Sequence, residues 1–363
     1  GGGGGGIERV TALGRIGWRD SSPPVEVDRT MYDLASLTKA VATTIAVLLL
    51  VEEGRIGLDD PVQRWLPEFE GKYKDEVTWR HLLTHTSGLA PGTRLEGSSP
   101  RERLRNLLRR PLGARPGLYV MYSDPGYVVL WTAAERVAGE PLPAYLERKV
   151  WRPLGMTSTA FAPGQECTRC APTLMLRSGE PFRGRPSDLF ARELGGVTGN
   201  AGLFSTALDL ARFAAMIAGD GELDGVRILR PATVRELLRQ QPGAGRRTLG
   251  WTAFCPDEPF HAQQPCARPI AYGHTGWTGT SLMIEPVRRV WVVLLTNRSF
   301  GRPGEPPSLD TLRREALSAV AASARPGPRT RRGGSTRRRG GSRPRRRSGS
   351  ARRGGRDWSR LRA

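Results

Sequence analysis

The apolar positions of the chain change period along its length. Near the start, Val10 to Trp18 mixes apolar and polar residues in the manner of a strand, and Ser21-Ser22-Pro23-Pro24 then turns the chain. Leu37, Val41, Ile45, Leu48 and Leu49 recur at helical spacing, with Gly54 placed to end that helix in the left-handed region. From Asp60 to about Gly245, helical segments alternate with Pro and Gly breaks. One opens with Asp124 as N-cap and Pro125 as first residue and stops at Gly139; Pro231 opens another. In the last third, Ser281 to Glu285 and Val290 to Thr296 alternate or run apolar around Pro286-Val287-Arg288-Arg289, which predicts a hairpin. An amphipathic helix follows from about Ser308 to Ala322. The pattern predicts one α/β body built from both chain ends, about residues 9–60 and 250–324, with a mostly helical region, about 61–249, inserted. The longest apolar run, Val41 to Val51, is interrupted by Thr43 and Thr44 and falls short of the ~18 residues of a membrane span, so no transmembrane segment is expected.

With 363 residues, 38% of them apolar and 25% charged, the chain can bury a substantial core, which excludes collagen, a coiled coil and full disorder. A net charge of +21 invites a nucleic-acid reading, but residues 325–363 hold sixteen Arg and one Asp, so residues 1–324 carry only +6. That tail of Arg, Gly, Ser, Pro and Ala has too little apolar surface to offset the entropy of ordering. It is expected to be disordered, a solvated tail or GC-rich DNA translated out of frame, with non-specific binding of polyanions as the alternative, so no specific nucleic-acid partner is expected. The chain begins with six glycines in place of Met, and residues 1–8 are read as a truncated or artefactual start. Any export signal would lie outside this sequence.

Ser36-Leu37-Thr38-Lys39 is the most informative tetrapeptide. Serine is a weak nucleophile that needs a neighbour to take its proton, and a lysine three positions on along a helix lies on the same face. The chain has only four Lys among its 56 basic residues, which makes the pairing uncommon by chance. Two further stretches, Tyr122-Ser123-Asp124 before a helix and His274-Thr275-Gly276-Trp277-Thr278-Gly279 before the hairpin, complete a set in order and spacing.

The chain thereby resembles the serine β-lactamase and penicillin-binding protein superfamily over about residues 9–323. The likeness is greatest to the class C β-lactamase-like branch with its esterases and D-peptidases, whose motifs are Ser-x-x-Lys, Tyr-x-Asn and Lys-Thr-Gly. Asp33-Leu34-Ala35, the segment Leu82 to Leu89 and the segment Gly195 to Thr206 agree with that branch. The resemblance implies an α+β, β-lactamase-like fold, an antiparallel sheet flanked by helices. It also implies a serine hydrolase that forms an acyl-enzyme on an ester, amide or β-lactam donor. Carried over, Ser36 is the nucleophile, Lys39 and Tyr122 share the proton work, Asp124, His274, Thr275 and Gly276 bind substrate, and the backbone N–H groups of Ser36 and Trp277 form the oxyanion hole.

The sequence departs from the pattern in three places. Asp124 stands where Asn is usual and would favour the ammonium form of Lys39, with helix capping as its other reading. His274 stands where β-lactamases have Lys, which turns the expectation away from penicillin hydrolysis. With an ordinary pKa near ~6.5, His274 is expected to switch recognition of a substrate carboxylate across neutral pH. Relatives also carry a helix and a strand before the segment matching Val10 to Trp18, so an unpaired sheet edge is expected beside the C-terminal strands. His81 and His85, at i and i+4, lack the Glu of a zinc-peptidase helix. Cys167, Cys170, Cys255 and Cys266 are read as idle thiols by default, with disulfides or zinc as alternatives. No metal or cofactor is expected. The partner is a small-molecule or peptide acyl donor, the chain a monomer, and the compartment exported or periplasmic. The competing function is a non-catalytic peptide- or peptidoglycan-binding member of the same fold.

Overall fold

The computed structural model describes residues 10–92, 94–256, 258, 259, 262–300 and 309–323. The expected glycine-rich start (1–8) and arginine-rich tail (325–363) lie outside the described residues. Four antiparallel strands, Thr252–Phe254, Ala271–Thr275, Ser281–Glu285 and Val290–Leu294, lie side by side in chain order. The predicted hairpin is present, with Ser281 opposite Leu294 and Glu285 opposite Val290. Its turn is held by the Glu285 carboxylate, which accepts the N–H groups of Val287 and Arg288 at 2.9 Å each. Because successive side chains alternate faces, Leu282 and Ile284 join Trp291 and Val293 in the main core, whereas Met283, with Val290 and Val292, packs on Leu317 of the terminal helix Asp310–Ser323. The main-core face is covered by the helix Ala207–Ala218. That helix comes from the later part of the predicted insertion, so the sheet layer draws on more of the chain than its two ends.

A second antiparallel sheet sets Leu203–Ser205 between Tyr32–Asp33 and Ala160–Phe161 and so fixes the chain just before Ser36. The helical run from Lys39 through Glu52 is buried all round: Thr43, Thr44, Ala46, Val47 and Leu50 are covered as well as the predicted stripe. A helix without a polar face belongs at the centre of a core, and this one packs against Asp124–Ala138. Gly54 and Gly139 end these helices at φ 70° and 72°, as their positions predict. The cap of the second is Ser123, whose hydroxyl accepts the Gly126 N–H at 3.0 Å. Asp124 is therefore not the N-cap; it lies in the first turn, free for other work.

Two further expectations are corrected. Val10 to Trp18 forms no strand: it makes one isolated bridge, Arg15 to Pro24, while Ile16 alone is buried and Leu13 is 82% exposed. Gly14, at φ 75°, breaks the extended run, and a segment with one buried anchor has no apolar face to hold it flat. Val290–Leu294 is accordingly an edge strand among the described residues. The cysteines are not idle thiols, since Cys167 is bonded to Cys170 and Cys255 to Cys266. His81 lies in the helix Trp79–Leu83, where its Nδ1 accepts the Thr78 N–H, whereas His85 lies past the helix end, so the two share no face.

Candidate active site

Ser36 sits on a strained turn between the Tyr32–Asp33 strand and the central helix. Ala35, just before it, has φ 46°, a left-handed conformation that a residue with a Cβ adopts only when its surroundings hold it there. Asp33 does the holding: one carboxylate oxygen accepts the Ala35 N–H at 2.9 Å and the other the Ser187 N–H at 2.7 Å. Burial raises the Asp33 pKa, and these N–H bonds only partly oppose it. From the other side, Thr278 donates its hydroxyl to the Asp33 carbonyl at 2.7 Å and Thr280 donates to the Leu34 carbonyl at 3.0 Å. Gly276 makes this approach possible, because a Cβ there would lie 2.4 Å from the Leu34 oxygen and 2.1 Å from Thr280 Oγ1. The first and third motifs, more than two hundred residues apart in sequence, are thus stitched together by threonine hydroxyls donating to main-chain carbonyls.

Lys39 is fully buried beneath Ser36. Its Nζ donates to Ser36 Oγ at 2.9 Å and to the Asn200 carbonyl at 3.0 Å, and it pairs with Asp124 Oδ1 at 2.7 Å. The last contact is an ion pair outside hydrogen-bonding angles. Two hydrogen bonds and one ion pair therefore hold the ammonium. Burial alone would lower the lysine pKa, but Asp124, followed by Tyr122, outweighs it, and the net shift is upward. The lysine is therefore a resident cation with Asp124 as its counter-ion.

Tyr122 is flanked by two cations, with Lys39 Nζ 4.8 Å and the Arg247 guanidinium 5.4 Å from its ring centre. Ser36, Tyr122, Arg247, His274, Thr275, Gly276, Trp277 and Arg313 border one cavity of about 540 Å³. Ser36 and Trp277 also border a smaller one of about 220 Å³, with Leu189, Asp188 and Ala201. The nucleophile thus stands between a basic chamber and a more apolar one. Arg247 donates one guanidinium N–H to Thr252 Oγ1 at 2.9 Å, while its buried Nε has no hydrogen-bond partner and no carboxylate pairs with it among the described residues. Arg313 donates to the Gly276 and Thr280 carbonyls at 3.1 and 3.3 Å, bracing the third motif.

His274 corrects the expected pH switch. Its ring is buried, Nδ1 donates to the Thr275 carbonyl at 2.7 Å, and burial, then Lys39 and Arg247, lower its pKa to about 3. It stays neutral through the working range, so no carboxylate is drawn or released by its protonation near neutrality.

All the residues named from sequence converge here: Ser36, Lys39, Tyr122 and Asp124 on one side, His274, Thr275, Gly276 and Trp277 on the other. Sequence reasoning missed Asn200 as a lysine partner, Arg247, Arg313 and the contacts of His85. Asn200 lay within a segment noted for its likeness, but its contribution is a main-chain oxygen, for which side-chain identity gives no signal.

The β-lactamase family model matches residues 8–317. A protein of Salmonella agona (strain SL483) named for D-alanyl-D-alanine carboxypeptidase activity is 31% identical over 315 residues, 78% of this chain and 73% of that protein. An Escherichia coli (strain K12) protein of the same name is 31% identical over 310 residues, 76% and 71% of the two chains. Among solved structures, EstCE1, a hydrolase with promiscuous acyltransferase activity, is 26% identical with a TM-score of 0.63, covering 84% of this chain and 88% of its own. A β-lactamase/D-alanine carboxypeptidase from Pseudomonas syringae has a TM-score of 0.65 at 21% identity, covering 86% and 90%, and shows the fold. With the fold, the stitched Ser-x-x-Lys turn and these likenesses together, the chain belongs to the β-lactamase family and is a serine hydrolase acting through an acyl-enzyme.

Proposed function

We propose that Ser36 is the acylated residue and that the donor carries a carboxylate beside the scissile bond, as a peptide ending in a D-amino acid does. In this reading Ser36 Oγ attacks the donor carbonyl, its proton passes to the Tyr122 oxygen, and the Tyr122 proton passes to the departing group, so the relay closes without consuming a proton. Lys39 remains an ammonium that orients Ser36 Oγ and meets the negative charge developing along the relay. The N–H groups of Ser36 and Trp277 receive the oxyanion, and water returns through the same relay to hydrolyse the ester. Arg247 is the observation that carries the choice of donor, as a guanidinium bordering the chamber beside Ser36 that no carboxylate pairs among the described residues. The curated relatives' names point the same way.

The test compares aryl esters, D-Ala-terminated peptides and a chromogenic cephalosporin on wild type, Ser36→Ala and Arg247→Gln. The expected result is no turnover by Ser36→Ala. Arg247→Gln should lose about tenfold or more in kcat/KM on the carboxylated peptide, the scale of one charge-assisted hydrogen bond, while a neutral ester changes little. The likeness to EstCE1 favours a second reading, a plain esterase. Equal losses on both substrates, or a wild type that turns over only neutral esters, would establish it instead.

A further inference from the structure

His85 touches neither the cavity nor Ser36, yet it binds the chain on both sides of Tyr122. Its carbonyl accepts the Met121 N–H at 2.7 Å, and its Nδ1 accepts the Ser123 N–H at 3.0 Å. In an extended segment the N–H groups at i−1 and i+1 point the same way, so one residue receives both and leaves Tyr122 between two fixed points. The His85 ring also lies 4.4 Å from the Tyr122 ring and 5.0 Å from that of Tyr127, walling the phenol from behind.

The brace is itself held under strain. His85 has φ 61° and is 3% exposed. A bulky residue stays in the left-handed region only where surrounding bonds over-determine it. Those bonds are present: Thr86 N–H donates to the His81 carbonyl at 2.8 Å, Gly117 N–H to the Thr86 carbonyl at 2.8 Å, and the Thr84 and Thr86 hydroxyls meet at 2.8 Å. For Nδ1 to accept, the ring must carry its proton on Nε2 and bear no charge. Burial, together with the nearby Arg247, Lys39 and His274, keeps its pKa well below the usual histidine range.

We infer that His85 is a positioning residue for the acylation step, fixing Tyr122 in the cavity it shares with Ser36 through the two N–H groups that flank it. The inference rests on the reading of Tyr122 as the proton relay. A displacement of about 1 Å in such a relay costs on the order of 10²-fold in rate.

The test uses two polar replacements that differ in where they place an acceptor. Asn puts its oxygen near the position of Nδ1 and tolerates a left-handed backbone, whereas Gln puts its oxygen near that of Nε2. Pre-steady-state acylation by a chromogenic ester is measured on the full chain for His85→Asn, His85→Gln, Tyr122→Phe and His85→Gln/Tyr122→Phe, with thermal unfolding beside each. His85→Asn should acylate within about threefold of wild type. His85→Gln should fall about 10²-fold at nearly unchanged KM, and the double variant should be no slower than Tyr122→Phe alone. Equal acylation by the Asn and Gln variants, or losses that multiply in the double variant, would overturn the positioning role. Tyr122→Phe acylating as fast as wild type would instead overturn the reading of Tyr122 itself, so the two failures are distinguishable.

Discussion

Replacing Asp124 by Asn tests the assignment of Lys39 as a cation with almost no change of shape. The lost charge lies 2.7 Å from a lysine that is fully buried, while Asp124 itself is 30% exposed. Two unit charges at that separation attract by about 6 kcal/mol at an effective dielectric of ~20 and by about 1.5 kcal/mol in bulk water. The partly exposed carboxylate lies between these limits, so the Lys39 pKa should drop by about 1 to 4 units, at ~1.4 kcal/mol per unit. The sign is set by the proton: Asp124 raises the lysine pKa, so wild type keeps the ammonium through the alkaline range, and Asp124→Asn brings its loss into reach. For a neutral aryl ester, kcat/KM of the variant should acquire a descending alkaline limb that wild type lacks, because the amine no longer stabilises the relay. Thermal unfolding should show the variant less stable by about 3 kcal/mol or less, the lower end of the cost of leaving a buried charge without its counter-charge. An ascending limb would mean that the freed amine is the general base, and an unchanged profile would mean that Asp124 does not govern the charge of Lys39. Either result refutes the reasoning.

His274 is neutral when folded, with a pKa near 3, but ordinary when unfolded. The unfolded chain therefore binds its proton first as pH falls, and stability should be lost between about pH 6.5 and 3, by up to about 5 kcal/mol for this group. Urea titrations of wild type and His274→Asn should show a shallower acid loss in the variant, and identical slopes would refute the assignment. By the same logic, the wild-type preference for a carboxylated over an uncarboxylated ester should stay flat between pH 6 and 7.5. The Cys255–Cys266 disulfide, with a sequence separation of 11, should contribute about 3 kcal/mol by restricting the unfolded chain. Replacing both cysteines by Ser should lower the urea midpoint accordingly, and an unchanged midpoint would deny the bridge a role in stability.

The parts of the site that were legible in sequence are those whose chemistry is local. Ser36 and Lys39 are three residues apart on one helical turn, and the likeness of Tyr122-Ser123-Asp124 and His274-Thr275-Gly276 to the family's motifs, in order and spacing, brings the others forward. The hairpin was legible for the same reason, since period two over ten residues specifies both register and faces. Arg247 was not, because it is one of 52 arginines, and its place at the cavity with no carboxylate pairing it among the described residues has no local sequence signal. Val10 to Trp18 shows the converse error. Its residue types suit a strand, but strand formation depends on a partner edge and a covered face, and neither is a property of the segment.

The protonation states were the least legible of all, because they are set in common. Asp124 keeps Lys39 charged, and burial, aided by the charges of Lys39 and Arg247, keeps both His85 and His274 neutral. Those two neutral rings are what the geometry requires. His85 accepts the Ser123 N–H only with Nδ1 unprotonated, and His274 lies near Lys39, Arg247 and Arg313, which all oppose a further positive charge. A single carboxylate at position 124, read from sequence as a departure from the family's Asn, thus fixes the lysine charge that reinforces this pattern around Tyr122. With Asn there, as in the usual motif, Lys39 would be easier to deprotonate and the histidines easier to charge. The Asp and the two buried histidines are therefore best understood as one arrangement: a relay through Tyr122 beside a lysine that is kept a cation.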